Sequence, residues 1–206
     1  TAGLPFGALY LILDNGETLL SGAASALTVL SLMFAAFVIG SIISQAIWVL
    51  LSNALGKVGA LGLGLGLYAV LLYMLYASLP SVNVTAIAGL FVIAGFTNGA
   101  YQQIPWAIYP DLMDITRRKE GVAIEGAYTA VWLFGQKLAN AVSPAVLGVI
   151  LAGAGWRETT EGLTDQTPAA LAALQNTITL IPAAILLVAA AALLLIYLPM
   201  QRRALA

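Results

Sequence analysis

From Leu19 to Gly56 the chain runs without a single charged residue. A run that apolar exceeds the ~20 residues a helix needs to cross a bilayer. It cannot leave backbone N–H and C=O groups unpaired in hydrocarbon, so it must be helical. This run supplies a helix over 24–51, and similar runs supply helices over 60–79, 84–109, 122–152 and 171–200. The opening run, 3–13, is too short to span and lacks the basic start of a signal peptide. It reads as the end of a helix whose first part lies upstream. The expected fold class is all-α, a polytopic membrane bundle with five full spans and a truncated first helix.

Composition agrees. Of 206 residues 61% are hydrophobic and 8% charged, where a soluble domain carries about 25% charged residues. The net charge of −1 gives no basic field for nucleic acid. The chain contains neither histidine nor cysteine, so the usual zinc ligands, thiol nucleophiles and disulfides are excluded. No cofactor is expected, and no serine–histidine, paired-aspartate or metal-ligand set falls at membrane depth, so the chain does not read as an enzyme.

The eight basic residues orient the bundle. Lys57, Arg117, Arg118, Lys119, Arg202 and Arg203 fall on one side, Arg157 on the other, and Lys137 inside a span. Basic loops stay on the cytoplasmic side. The charged turn Pro110–Gly121 and the C-terminus are therefore expected in the cytoplasm, with the loops holding Asn83 and Arg157 outside. In that turn Asp111, Asp114 and Glu120 can pair with Arg117, Arg118 and Lys119 as a gating latch, or the turn is simply a solvated charged loop.

Lys137 is the anomaly. It lies midway between Gly121 and Gly153, about 24 Å along the helix from either end, which is farther than a lysine stem can snorkel to water. Placing it there costs ~2.5–3.5 kcal/mol on insertion scales, and such charges mark pathways or binding sites. The plainer reading is a clamp that holds neighbouring helices. Ala130, Phe134, Lys137, Ala141 and Pro144 follow one side of the helix, with Asn140 adjacent.

Other polar residues cluster. Asn98, Gln102 and Gln103 precede Pro105-Trp106, and their amides are costly against lipid, so this face should point into the bundle. Ser41, Ser44 and Gln45 share a face, either as interhelical glue or as cavity lining, with Trp48 expected to anchor at an interface. Gly62/Gly66 and Gly95/Gly99 are small-residue pairs four apart that permit close helix approach.

The block Ile104-Pro105-Trp106-Ala107-Ile108-Tyr109-Pro110-Asp111-Leu112-Met113-Asp114, followed by Arg117-Arg118-Lys119-Glu120-Gly121 and by Glu125 ahead of Lys137, resembles the glycoside–pentoside–hexuronide cation symporters. Those transporters belong to the major facilitator superfamily, with twelve helices in two six-helix halves. The resemblance is most specific over 98–148. It implies that this chain is the C-terminal half, that 104–121 joins helices ten and eleven, and that the molecule is a sodium- or proton-coupled symporter of a sugar or glycoside that rocks about a mid-membrane site.

The resemblance further implies that Lys137 reaches toward the cation and sugar sites. Gln102 falls where the family places a substrate-facing aromatic, and Trp132 falls near polar contacts of helix eleven. With Asn98, Gln103 and Asn140 these are the candidate substrate residues, and Lys137, Asp111, Asp114, Arg117, Arg118 and Glu125 the candidate coupling or gating residues. The family's cation-binding carboxylates lie in the N-terminal half. The implied partners are thus the substrate, sodium or a proton, membrane lipid, and that N-terminal half or a second copy of this one. The expected setting is a bacterial inner (plasma) membrane. The same block also resembles animal lysophospholipid symporters, so a lysophospholipid or other amphiphile is an alternative cargo, and a non-transporting membrane scaffold is an alternative role.

Overall fold

Two helices cross at backbone contact and set the position of everything else. The structure, a computed structural model, describes residues 3–14, 17–18, 23–120, 125–158 and 165–200. In it α2 (Ala23–Leu55) and α4 (Val84–Glu120) approach through reciprocal glycines. A Cβ on Gly40 would stand 1.9 Å from the carbonyl oxygen of Val92, and one on Gly95 would stand 1.8 Å from that of Phe37. A Cβ on Gly99 would fall 2.0 Å from Ser44 Oγ. Each backbone occupies the space that a side chain would take on the other. Lipid tails are as apolar as leucine, so helices in a bilayer gain little from apolar burial alone, and such close packing is what draws them together.

The other elements arrange around this crossing. α1 (Gly3–Leu9) is short and is followed by an antiparallel two-residue ladder, Leu13–Asp14 against Glu17–Thr18. α3 (Lys57–Ser78) follows α2 after the single residue Gly56, whose φ of 77° is a left-handed conformation that glycine adopts without strain. α5 (Glu125–Gly153) leads through a loop to α6 (Pro168–Ile178) and α7 (Leu180–Ala192), with a wider turn at Leu193–Tyr197. Five segments among the described residues are long and apolar enough to cross a membrane: Ala26–Leu55, Lys57–Ser78, Val84–Arg118, Glu125–Gly153 and Pro168–Met200. The architecture is an all-α membrane bundle.

Two stretches differ from the sequence-based expectation. Pro110–Glu120 is helix rather than turn, so α4 runs on past 109 through Pro105 and Pro110. The carbonyls freed are those of Tyr101 and Trp106, four residues before each proline, and Lys57 Nζ lies 2.9 Å from the adjacent Ala107 carbonyl oxygen. Gly121 lies outside the described residues. Conversely, the last apolar run is interrupted at Thr179. Pro182 has no N–H to offer the carbonyl of Ile178, and the Thr179 hydroxyl donates instead to the Gln175 carbonyl.

Caps and cross-links fix the ends. Asn83 Oδ1 accepts from the Ala86 amide at the start of α4, and Thr167 Oγ1 accepts from the Ala170 amide at the start of α6. Gln175 Nε2 donates to the carbonyls of Tyr76 and Leu79, where α3 ends. Trp48 does not anchor at an interface. It is fully buried and donates Nε1–H to the Phe96 carbonyl at 2.8 Å. Ser44 and Gln45 both donate to the Ser41 carbonyl, so this cluster is satisfied within its own helix. The Gly62/Gly66 pair divides: Gly62 receives Leu194, whereas nothing lies within 4 Å of a Cβ on Gly66.

Two alanine substitutions separate close approach from mere glycine content. Gly95→Ala puts a methyl group into a carbonyl oxygen and should force α2 and α4 apart, lowering the detergent-solubilised melting temperature or abolishing folded protein. Gly66→Ala meets open space and exchanges a poor helix former for a good one, a gain of up to about 1 kcal/mol. Its melting temperature should stay level or rise.

Candidate functional site

The candidate residues divide between α4 and α5, and the two helices present them differently. α4 is packed on both sides, by α2 and by α3. Asn98 therefore falls inside the bundle, 1% exposed, with Oδ1 lacking a hydrogen-bond partner. It is enclosed and does not lie on an open face. Gln102 is exposed, and Gln103 is half-buried with Oε1 unpartnered. Gln102 and Gln103, neighbours along the helix, point about 100° apart, whereas Asn98 and Gln102, four apart, share a face and differ in burial by their position along α4.

α5 is a different object. Leu151 is its one buried residue, and Lys137 and Asn140 are both exposed. Among the described residues Lys137 has no ion-pair or hydrogen-bond partner. A cation at this depth is unfavourable against hydrocarbon and needs a wet cavity or an anionic or polar partner. The clamp reading, in which Lys137 holds its neighbours, has no contact within the described bundle to support it.

Trp132 ties the two helices together. Its ring centroid is 5.8 Å from that of Trp106 and 5.8 Å from that of Tyr109, both on α4, and its Nε1 is buried without an acceptor. Two acceptors, Asn98 Oδ1 and Gln103 Oε1, and one donor, Trp132 Nε1, are thus left unpaired on the helices that carry the candidate residues. Leaving such a group unmatched costs roughly 1–3 kcal/mol. A solute rich in hydroxyls, or water, supplies both kinds of partner. The aromatic faces offer stacking surface for apolar C–H groups.

One of the acidic residues near the end of α4 has a partner on another helix. Asp111 bonds across helices to Lys57 Nζ at 2.6 Å, rather than to Arg117 or Arg118 of its own segment. Asp114, Arg117 and Arg118 are exposed, and Glu125 is half-buried. The side chains of Lys119 and Glu120, with Arg202 and Arg203, lie outside the described residues. Lys57 entered the sequence reading only as a charge that set orientation. Its position directly after Gly56, where α3 starts, is the signal that it would face the neighbouring helix.

The hydroxyls that join α4 to α5 are also absent from the sequence reading. Tyr109 donates to Thr129 Oγ1 at 2.7 Å, and Thr129 donates to the Glu125 carbonyl at 2.8 Å. Thr116 Oγ1 and the Tyr128 hydroxyl lie 3.1 Å apart.

In comparisons with known proteins, a family model described as MFS/sugar transport protein matches residues 21–201. The comparison with curated proteins gave no match, and neither did the comparison with solved structures.

The Lys57–Asp111 pair should contribute little to stability. Its side chains are 40% and 47% exposed, and solvent-accessible ion pairs are worth about 0–1 kcal/mol. Asp111→Asn should shift unfolding free energy, measured by denaturant titration in detergent, by less than about 1 kcal/mol. The exchange Lys57→Asp with Asp111→Lys should recover part of any loss.

Proposed function

Since the chain belongs to the MFS/sugar transport protein family, and is a multi-pass major facilitator superfamily transporter protein, we propose that it forms the C-terminal six-helix half of a cation-coupled sugar or glycoside symporter. The family's sugar-transport description supports this cargo. The likeness of 104–121 and Lys137 to the glycoside–pentoside–hexuronide symporters supports coupling to sodium or a proton. The observation that carries the site assignment is α5: it is long and apolar enough to span, none of its span window is buried, and at its middle stands Lys137, without a partner among the described residues.

In this reading a second six-helix bundle covers the exposed face of α5 and encloses an aqueous cavity. Lys137 donates to substrate oxygens or to a carboxylate of that second bundle, and Gln102, Asn140 and Trp132 add neutral contacts. Asn98 and Gln103 stand behind them within α4. The coupling cation is held chiefly by carboxylates of the other half. Substrate reaches either side as the two bundles rock about this level. The ends bearing Lys57, Arg117 and Arg118 face the cytoplasm of a bacterial cell. Asp111, Asp114, Arg117, Arg118 and Glu125 sit where the closing of that side would change their surroundings.

The test is uptake into proteoliposomes holding the complete transporter under an inward sodium or proton gradient. Accumulation of a labelled sugar or glycoside is expected, with loss of at least about tenfold on Lys137→Ala, the scale of one charged hydrogen-bond partner, while the melting temperature is retained. Uptake of a lysophospholipid in place of every sugar tried would replace the cargo. Unchanged sugar uptake by the Lys137→Ala variant would remove the site. Thiol labelling of Arg117→Cys only from the outside of intact cells would invert the orientation.

A further inference from the structure

α5 meets α4 over one short stretch. The hydrogen bonds and ring contacts between them fall from Tyr128 to Trp132. From Leu133 to Val146 every residue is exposed, and nothing lies within 4 Å of a Cβ placed on Gly135. Contact with the bundle resumes at Leu147 and Leu151, which pack on the core. Lys137 therefore rides on a stretch of helix held at its two ends.

A helix transmits rotation. If the end at Thr129 turns, a side chain about 12 Å further along turns with it, because the intervening hydrogen-bond ladder is stiff. What fixes the turn at Thr129 is a directional chain. The hydroxyl of Tyr109 donates to Thr129 Oγ1, which spends its own proton on the Glu125 carbonyl one turn back. Thr116 and Tyr128 make a second hydroxyl pair beside it. Both pairs join neutral groups, so neither carries the larger stabilisation of a charged hydrogen bond. That is the property a contact needs if it is to open and close at ordinary temperature.

We propose that the Tyr109–Thr129 and Thr116–Tyr128 hydroxyl pairs form a clamp that sets the rotation of α5, making Thr129 and Tyr109 positioning residues for Lys137. Closed, the clamp holds Lys137 at one azimuth; open, it frees the Leu133–Val146 stretch to turn. The proposal rests on the reading of Lys137 as the residue that meets substrate, but its first test does not.

The chain contains no cysteine, so one introduced thiol reports one position. In the complete transporter, Ala139→Cys places a thiol in the exposed stretch, and Thr85→Cys places a reference at the exposed start of α4. Labelling by a small methanethiosulfonate reagent should change in rate at position 139 by about three- to tenfold on Thr129→Val or Tyr109→Phe, the population shift that one net hydrogen bond supports. The rate at position 85 should not change. Thr129→Ser should restore the original rate, and the double variant should match either single one, since both remove the same bond. If Thr129→Val fails to fold, Tyr109→Phe keeps the ring and removes the bond from the other side. Original labelling rates in all variants would overturn the clamp, as would equal changes at positions 139 and 85.

Uptake of radiolabelled methyl galactoside adds a second readout. Loss of azimuth should raise KM by a similar factor and leave kcat within about twofold, whereas general destabilisation lowers the amount of active protein and leaves KM alone. If the unmodified transporter takes up no galactoside, the KM readout moves to whichever sugar it does accumulate, and the thiol rates still decide the clamp.

Discussion

The bundle depends on two backbones being able to touch. At Gly40 and Gly95 the carbonyl oxygen of one helix occupies the place of a side chain on the other. This is a contact that dispersion and weak Cα–H···O interactions favour and that any added carbon abolishes. Because α2 and α4 lie so close, Ser44 and Trp48 are sealed against Gly99 and Phe96, and Asn98 is enclosed one residue away. α3 completes the arrangement: a Cβ on Gly64 would stand 2.3 Å from that of Ala100. The tight half of the molecule is thus made from small residues, and Ser44, Gln45 and Trp48 within it donate to nearby carbonyls.

α5 stands in contrast. It touches the bundle near both ends and leaves its middle open, and the middle is where Lys137 sits, unpaired among the described residues. Packing and open surface are divided between helices. α2, α3 and α4 hold shape, and α5 carries a charge that the described bundle does not satisfy. Gln175 of α6, by contrast, donates to the carbonyls of Tyr76 and Leu79 at the end of α3.

Much of this is legible in the residues because a bilayer restricts the choices. Leu19–Gly56 has no alternative to a helix, and the charge-free runs after it repeat the argument. What sequence could not settle was which groups meet across helices. Trp48 looked interfacial by its distance from a helix end, yet Gly99 opens room for its ring inside the bundle. Asp111 lies near Arg117 and Arg118 along the chain, yet its partner is Lys57 because α3 begins beside it. Pro110 was expected to open a turn, and the helix continues through it. For Trp48 and Asp111, local pattern was overruled by a neighbour about 50 residues distant in sequence. The hydroxyl pairs between α4 and α5 were invisible for another reason: threonine and tyrosine near helix ends are common, and only the crossing of the helices selects these four.

The length of α4 has a mechanical side. It has 37 residues, about 55 Å of helix against a hydrocarbon core of about 30 Å, and it is gripped by α2 near Gly95. It is gripped again by α3, at Ala100 and through the Lys57–Asp111 pair. Beyond Asp111 the remaining arm is roughly 14 Å, so a tilt of about 10° there sweeps the tip by only roughly 2 Å. The length of α4 lets one helix carry the grip of α2 at mid-depth and that of α3 near the surface, as a beam rests on two supports.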